Sequence, residues 1–256
     1  MNWLHERVQR GDVLAGVWLT FGSSAVAELA GLVGYDWALV DTEHGYTGAE
    51  TLLPQLQALA ATPCAPLVRV ESHDPALYKR TLDLGPSGIM SPMVNTADEA
   101  RAIVRAMRYP PAGIRGFTGA GRGAGYGLNV EEYARRANRE LLNVVQIETT
   151  AAIQNIDEIA AVDGVHVLFV GPADLSLSLG IHTQYDHPDF VAALARLNAA
   201  ARRHGKRTGI LALRPGDLPR QVEQGFTFIA HGVDSIAVRG GLEETLGRLK
   251  PYRTAR

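Results

Sequence analysis

The polar residues most able to do chemistry stand where short apolar runs end. Glu148 closes the run in VVQIET, and Gln146 stands two residues before it, so a strand here would place both side chains on one face. A buried carboxylate is costly unless it is paired or bound to a cation. Asp174, in GPADLS, follows the next apolar run. Two carboxylates at neighbouring strand ends would, with water and substrate oxygens, suit a hard divalent cation such as Mg²⁺ or Mn²⁺.

Two earlier runs end in further candidates. Asp41 and His44 follow the run in DWALVDTEHG, and Arg69 closes the run in APLVRV. His44 is a candidate general base because an unperturbed histidine has a pKa of about 6.5, and Asp41 could orient its ring. Arg69 needs an anionic partner at the end of an apolar strand, and its planar guanidinium suits a carboxylate or an enolate oxygen.

Structural explanations of the same residues stay open. Arg69 could form an ion pair with Glu148 or Asp41, and Asp174 could cap the helix that follows it. The turn in GPADLS also predicts a helix N-terminus, where the amides of Ala173 and Asp174 could bind a substrate carboxylate.

The elements that must position these side chains are eight apolar runs that alternate with helical patterns. Most of the runs lack a polar alternation, as is typical of strands buried on both faces of a parallel sheet. Eight strand–helix units in a chain of 256 residues predict an α/β fold, a (β/α)8 TIM barrel, with a doubly wound sheet as the alternative. The catalytic face of such a barrel lies at the carboxyl ends of its strands. The predicted strands are 14–19, 36–41, 65–70, 88–93, 142–148, 165–171, 207–212 and 226–232.

One connection, 108–141, is too long for an ordinary loop of a barrel. It contains GFTGAGRGAGYG, with six glycines in twelve residues, followed by a short helical pattern in NVEEYARRANREL. We expect a flexible lid or a subunit contact. The alternative is an anion cradle of backbone amides, which is less favoured because no phosphate-loop lysine follows.

Composition and charge narrow the class of protein. The net charge is −2 and the isoelectric point about 6.4, so no basic surface for nucleic acid is indicated. We expect no signal peptide and no membrane-spanning segment, because no apolar run is long enough. The single cysteine, Cys64, rules out an intrachain disulfide and favours a buried thiol in a cytoplasmic protein. The length is compatible with one barrel domain over residues 1–256.

Six motifs, in chain order, resemble those of the HpcH/HpaI aldolase family, and they extend over nearly the whole chain. They are LVDTEHG, PLVRV, SPMVNTADEA, YPPAGIRGF, VVQIET and LFVGPADLSLSLG. The resemblance implies a barrel of the phosphoenolpyruvate/pyruvate-binding type. It also implies homo-oligomers, commonly hexamers built as trimers of dimers, in which the last helix is exchanged between subunits.

The implied activity is that of a class II aldolase. Such an enzyme reversibly cleaves a 4-hydroxy-2-oxo acid to pyruvate, or hydroxypyruvate, and an aldehyde, and depends on a divalent metal such as Mg²⁺, Mn²⁺ or Co²⁺. The resemblance also implies the roles of individual residues: Glu148 and Asp174 ligate the metal, Arg69 holds the pyruvate oxygen and Gln146 lies beside pyruvate. His44 with Asp41 is the implied base. The acidic residue that this family takes from a neighbouring subunit would be Asp83, in TLDLG.

Other functions stay open at this point. A Schiff-base aldolase is disfavoured because Lys79, Lys206 and Lys250 all fall in predicted helices or loops. A citryl- or malyl-CoA lyase would need cationic groups for CoA, and a phosphate-binding isomerase would need a glycine-rich phosphate loop late in the chain. A non-catalytic barrel that binds a small acid is the alternative of another class. The aldehyde cannot be read from the sequence, although Tyr46 and Thr47 are candidates to shape its pocket.

Overall fold

Eight parallel strands form a closed barrel in which each strand pairs with its neighbours in chain order, and β8 closes on β1. A computed structural model describes residues 3–254, so residues 1–2 and 255–256 of the predicted domain lie outside the described residues. The predicted TIM barrel is confirmed, and the doubly wound alternative is excluded by the closure. The strands are β1 Leu14–Leu19, β2 Trp37–Asp41, β3 Ala65–Arg69, β4 Gly88–Ser91, β5 Leu142–Ile147, β6 Val167–Val170, β7 Arg207–Ala212 and β8 Phe228–Val233.

The barrel interior is filled by side chains that alternate along the strands, as expected for eight strands. Trp37 stacks on Phe228 with ring centroids 4.0 Å apart, and Phe169 meets Trp37 edge-on. Gly16 makes room for this packing, because a Cβ there would lie 2.1 Å from the Trp37 ring. These bulky rings make the interior a packed core, so ligands have access only at the two ends.

Helices surround the barrel, and two begin where the sequence predicts an N-terminus, at Asp74 before Pro75 and at Thr96 with Glu99 three residues later. Asp74 accepts from the Ala76 amide, and Thr96 with Glu99 forms a reciprocal capping box. The α-helices are α1 Trp3–Arg10, α2 Ser24–Val33, α3 Ala49–Ala60, α4 Pro75–Asp83, α5 Ala97–Met107, α6 Val130–Glu140, α7 Thr150–Gln154, α8 Ile156–Ala160, α9 Pro172–Ser178, α10 Pro188–Arg203, α11 Leu218–Glu223 and α12 Asp234–Leu249. Short 3₁₀ turns span Arg122–Gly127, Pro215–Asp217 and Lys250–Tyr252.

The helical pattern in TTAAIQNIDEIAAV, residues 149–162, predicts one helix, and this helix is broken in the structure. The pattern over 149–162 divides into α7 and α8 at Asn155, whose backbone leaves the helical region at φ −95° and ψ 9°. The Asn155 side chain donates to the carbonyl of Asn95, in the turn after the neighbouring strand β4, at 2.8 Å. This contact with the turn after β4 accompanies the break.

The last helix, α12, stands away from the barrel. Of its side chains only Asp234 is buried, whereas Ile236, Leu242 and Leu246 are exposed. Asp234 accepts from the backbone amides of Thr20 and Phe21 and so holds the start of α12 to the end of β1. An exposed apolar stripe of this kind usually marks a contact surface. Among residues 3–254, no helix combines the length and the apolar character that crossing a membrane requires.

The glycine-rich connection packs against the end of the barrel that is opposite the predicted catalytic face. Arg122 donates to the carbonyls of Leu84 and Leu56, beyond the end of α4 and near the end of α3. Because α4 ends where the chain turns back into β4, this contact lies at the amino ends of the strands. The connection therefore does not cover the mouth of its own barrel, so the expected lid over that mouth is corrected, and the expected subunit contact stays a prediction.

Candidate active site

The residues expected to do chemistry lie at one mouth of the barrel. Asp41 is the last residue of β2 and Arg69 the last of β3, and the two are register partners in the sheet. Glu148 directly follows β5, and Asp174 lies in the first turn of α9 after β6. Parallel strands bring these ends together, so four separate segments contribute to one site.

Arg69 is held by two carboxylates. Its Nε and Nη2 donate to the two oxygens of Asp41 at 2.9 and 2.5 Å, and its Nη1 lies 2.9 Å from Oε2 of Glu43. The guanidinium also lies over the ring of Trp18, whose indole N–H donates to Asp41. Burial acts to raise the pKa of Asp41, but the hydrogen bonds and charge of Arg69 outweigh it and lower that pKa. The ion pair foreseen between Arg69 and Asp41 is present, and the one foreseen between Arg69 and Glu148 is replaced by the contact with Glu43.

His44 lies at the exposed rim of this cluster. Its side chain is 72% exposed, and its Nε2 lies 3.9 Å from Oε1 of Glu43. Asp41 accepts from the backbone N–H of His44 and does not contact its ring, so the expectation that Asp41 orients the imidazole is corrected. The physical reason is that both Asp41 oxygens are already engaged by Arg69. Burial, followed by the nearby Asp41 and Asp174 charges, raises the pKa of Glu43 although Arg69 opposes it.

Glu148 is almost completely buried and carries no counter-charge in direct contact. Its Oε1 accepts from the backbone N–H of Met93 at 2.7 Å, and its Oε2 accepts from the Gln146 side-chain amide at 2.9 Å. Burial raises the pKa of Glu148 to about 7, and the charges of Asp174 and Glu43 add to this, whereas the Met93 amide and Arg69 act against it. Glu148 is thus a buried carboxylate whose ionised form a bound cation would stabilise.

Gly171 permits the close approach of Glu148 to the turn after β6. A Cβ at Gly171 would lie 2.1 Å from Oε2 of Glu148, so only glycine fits here. Gly171 is also the N-cap of α9, and no side chain caps that helix. The expectation that Asp174 serves as the cap is therefore not met, and Asp174 and the Ala173 amide stand at the mouth beside Glu148.

The residues present fit a divalent cation. Gln146 turns its amide N–H toward Glu148 and leaves its own Oε1 buried with no hydrogen-bond partner. Within residues 3–254 no group of three or more His, Cys, Asp or Glu side chains could hold a metal, so a cation at the expected pair, Glu148 and Asp174, would receive only two carboxylates from the protein. A site with two carboxylates leaves positions for water and ligand oxygens, as hard cations prefer.

Asp83 lies apart from this mouth in its own chain. It is the last residue of α4, and it accepts from Nη2 of Arg115 at 2.9 Å. Arg115 is fully buried and lies over the rings of Tyr109 and Tyr133. The structure does not bring Asp83 together with His44 within one chain, so any shared role requires a second subunit.

The sequence assigned no role in the site to three of its contributors. Glu43 was visible in DTEHG, but its contact with Arg69 depends on the turn after β2. The Met93 backbone amide has no sequence signal at all. Gly171 could have been suspected, because a glycine directly before a proline at a strand end often allows a close approach.

The structure and its relatives define the class of protein. A barrel whose strand ends carry buried carboxylates and an arginine is a TIM-barrel enzyme, and the family model described as HpcH/HpaI aldolase/citrate lyase matches residues 14–240. The chain belongs to this HpcH/HpaI family and is a carbon–carbon lyase of the aldolase type. The resemblance read from the six motifs is confirmed.

Curated relatives and a solved structure match the chain over almost its whole length. It is 43% identical over 240 residues to a hydroxypyruvate/pyruvate aldolase of Chromohalobacter salexigens, covering 94% of each chain. It is 41% identical to a 4-hydroxy-2-oxo-heptane-1,7-dioate aldolase of Escherichia coli, covering 99% of this chain and 97% of that one. A family protein from Burkholderia cenocepacia superposes with a TM-score of 0.93 at 35% identity, covering 98% of this chain and all of that one.

Proposed function

We propose that the protein is a class II aldolase that reversibly cleaves a 4-hydroxy-2-oxo acid to pyruvate or hydroxypyruvate and an aldehyde. The observation that carries the proposal is the buried, unpaired carboxylate of Glu148, which lies at the same mouth as Asp174 and Arg69. The aldolases at 43% and 41% identity support the substrate class. Aldolases of this family generally depend on a divalent metal, and we propose Mg²⁺, Mn²⁺ or Co²⁺ held by Glu148 and Asp174.

A divalent ion held there would polarise the keto group of a 2-oxo acid and favour loss of a proton from the adjacent carbon. Arg69 supplies a second positive charge where negative charge develops on the keto oxygen. Asp41 holds two of the three guanidinium nitrogens, which fixes the plane of the fork. The third nitrogen contacts Glu43, and a substrate oxygen would take the place of that contact or share it.

The remaining polar groups of the mouth would bind the 2-oxo acid and move its proton. The unpartnered Oε1 of Gln146 lies next to the Glu148 carboxylate. It could accept a hydrogen bond from a hydroxyl of the substrate or from a bound water. The backbone amides of Ala173 and Asp174 suit the substrate carboxylate. His44, at the exposed rim, would accept the proton of the C4 hydroxyl as the C3–C4 bond breaks.

The lysines support a mechanism without a Schiff base. Lys79 lies within α4, and Lys250 follows α12. Lys206 precedes β7, at the end of the barrel opposite the mouth, and donates to the carbonyl of Val162. None of the three stands at the strand ends where the carboxylates lie, and we propose that the carbonyl is activated by a cation and not by an amine.

The unpartnered surfaces support an assembly in which subunits exchange α12. The apolar face of α12 is exposed, and so are Leu29, Leu32 and Val33 of α2, beside the position that the last helix of a barrel usually covers. We propose homohexamers, built as trimers of dimers, in which α12 of one subunit covers α2 of another. We further propose that Asp83 of a neighbouring subunit acts on His44.

Cleavage of a 4-hydroxy-2-oxo acid tests the proposed function. Pyruvate release is followed with and without EDTA, and in parallel with borohydride to trap any imine. We expect EDTA to abolish cleavage, added Mg²⁺, Mn²⁺ or Co²⁺ to restore it, and borohydride to leave the protein mass unchanged. Cleavage that persists in EDTA, together with a trapped adduct, would exclude the metal-dependent mechanism. Cleavage of only a CoA thioester would favour the citryl- or malyl-CoA lyase alternative.

A further inference from the structure

The turn that follows β4, residues 92–96, is joined to the end of β5 by its main chain. The Met93 N–H donates to Oε1 of Glu148, and the Val94 N–H donates to the carbonyl of Gln146 at 3.1 Å. On its other side, the turn accepts a hydrogen bond at Pro92 from Nε2 of His73, at 2.7 Å. The turn therefore supplies one of the two donors that contact the Glu148 carboxylate.

Met93 adopts an unusual backbone conformation to make this contact. Its φ is 51°, in the left-handed region that residues other than glycine seldom occupy. Its side chain is 44% exposed, so side-chain packing does not account for the conformation. Such a conformation persists only where its surroundings hold it, and it is most common at functional sites.

The Asn95 side chain stabilises this conformation of Met93. Its Nδ2 donates to the carbonyl of Met93 at 2.8 Å, and its Oδ1 accepts from the hydroxyl of Thr149, the residue that follows Glu148. The Asn155 side chain donates in turn to the carbonyl of Asn95. The Asn95 side chain thus contacts both the Met93 peptide and the end of β5, the two segments that the Met93–Glu148 hydrogen bond joins.

We propose that Met93 and Asn95 are positioning residues for the cation site. Asn95 holds Met93 in the left-handed conformation, and the Met93 N–H then fixes the orientation of the Glu148 carboxylate before any cation binds. The inference rests on the proposed role of Glu148 as a metal ligand. It assigns part of the metal affinity to a strained backbone turn that no side-chain motif reveals.

Two substitutions at position 93 separate the backbone conformation from the side chain. Met93→Gly keeps the N–H and adopts a φ of 51° without strain. Met93→Val keeps an apolar side chain but is β-branched and resists that conformation. Asn95→Ala removes the hydrogen bond to the Met93 carbonyl and leaves residue 93 itself unchanged. Tyr126→Val is a matched control, because Tyr126 has a φ of 55° in the connection at the opposite end of the barrel.

The measurement is a calorimetric titration of the metal-free protein with Mn²⁺, without substrate, alongside the thermal unfolding midpoint of each variant. We expect Met93→Gly and Tyr126→Val to keep the Kd within about twofold, and Met93→Val and Asn95→Ala to weaken it roughly fivefold to thirtyfold. A role confined to fold stability would lower the unfolding midpoints and leave every Kd unchanged, which would overturn the inference. Equal weakening in Met93→Gly and Met93→Val would also overturn it.

Glu148→Gln, titrated under the same conditions, separates this inference from the function on which it rests. If Glu148→Gln binds Mn²⁺ as tightly as the unchanged protein, the assignment of Glu148 as a ligand fails and the inference falls with it. If Glu148→Gln loses binding while Met93→Val and Asn95→Ala retain it, only the inference is overturned.

Discussion

Arg69 makes contacts with all three of its guanidinium nitrogens, which explains why its shape matters as well as its charge. A lysine offers one compact ammonium group, so it cannot hold Asp41 at two points and reach Glu43 as well. We expect Arg69→Lys to lower kcat/KM nearly as far as Arg69→Ala, by about 100-fold or more if each lost charged contact costs roughly 1.5–3 kcal/mol. Steady-state kinetics with one oxo acid checks this. A lysine variant within a few-fold of the unchanged enzyme would show that only the positive charge is required.

The buried Glu148 carboxyl predicts an unusual dependence of stability on pH in the metal-free protein. Because its pKa is raised to about 7 in the fold, the folded state binds a proton more tightly than the unfolded chain. The free energy of unfolding should therefore fall as the pH rises from about 4.5, the unfolded pKa, through about 7, by on the order of 3 kcal/mol. Above that pH range, the contribution of this group to the free energy of unfolding is completely lost.

Urea unfolding of the metal-free protein at pH 5.5 and pH 8 measures this change, with Glu148→Gln as the control. The glutamine variant has no proton to lose at this position, so its stability should change less over the same interval. Added cation should restore stability at pH 8 because it binds the ionised carboxylate. The same pH dependence in both proteins would mean that another group is responsible.

The residues that the sequence could place were those that close an apolar run. Asp41, Arg69, Gln146, Glu148 and Asp174 all lie at the mouth because parallel strands end on one side of the barrel. Glu43 could not be assigned in advance, since its contact depends on how one turn folds back over Arg69. Asp83 was identified by resemblance alone, and its ion pair with Arg115 follows from a connection that has no strand or helix period.

The turn between β6 and α9 is the element that brings the two proposed metal ligands together. A methyl group at Gly171 would lie 2.1 Å from Oε2 of Glu148, so Gly171→Ala must displace either the carboxylate or the turn. We expect the Kd for Mn²⁺ to rise by about tenfold or more while the barrel remains folded, since overpacking typically costs 1–3 kcal/mol. Calorimetric titration and circular dichroism measure the two properties.

Gly216→Ala is the matched control for this substitution. Gly216 lies in the turn after β7 and a Cβ there meets nothing within 4 Å. The control should keep both metal affinity and fold. Loss of affinity in both variants, or in neither, would argue against a close approach of Glu148 to the β6–α9 turn.

Strands were easier to foresee than helices because both faces of each strand are buried. Each of the eight predicted runs overlaps one observed strand; two runs have the observed bounds, and the others differ by at most two residues at either end. The helix expected over 149–162 is broken because Asn155 takes part in a tertiary hydrogen bond, which no local pattern contains. The position of the glycine-rich connection, likewise, follows from backbone contacts of Arg122 beyond α4 and not from its own sequence.

Within residues 3–254, the apolar faces of α12 and α2 have no partner in their own chain. Leu242 and Leu246 lie one turn apart on α12, and both are exposed. We expect Leu242→Asp with Leu246→Asp to reduce the mass of the assembly in light scattering and to lower activity at the same time, because the proposed role of Asp83 needs a neighbouring subunit. Leu128→Asp, at an exposed residue between the connection and α6, tests a second candidate contact. An unchanged mass in the α12 variant would contradict helix exchange.

Two expectations about the whole protein depend on composition and remain predictions. The mildly acidic charge argues against nucleic-acid binding, and the single buried Cys64 favours a cytoplasmic location. Burial raises the pKa of the Cys64 thiol, which makes it a poor nucleophile and agrees with a purely structural part in the core.

Formation of an enolate at this mouth can be measured by proton NMR of pyruvate in heavy water. The spectra are recorded with metal-stripped protein, before and after Mg²⁺ or Co²⁺ is added. We predict that the methyl protons exchange for deuterium only when the cation is present, and that Glu148→Gln abolishes the exchange. Exchange that proceeds without a cation, or no exchange with any cation for either pyruvate or hydroxypyruvate, would contradict a cation-stabilised enolate at this mouth and favour a barrel that binds a small acid without cleaving it.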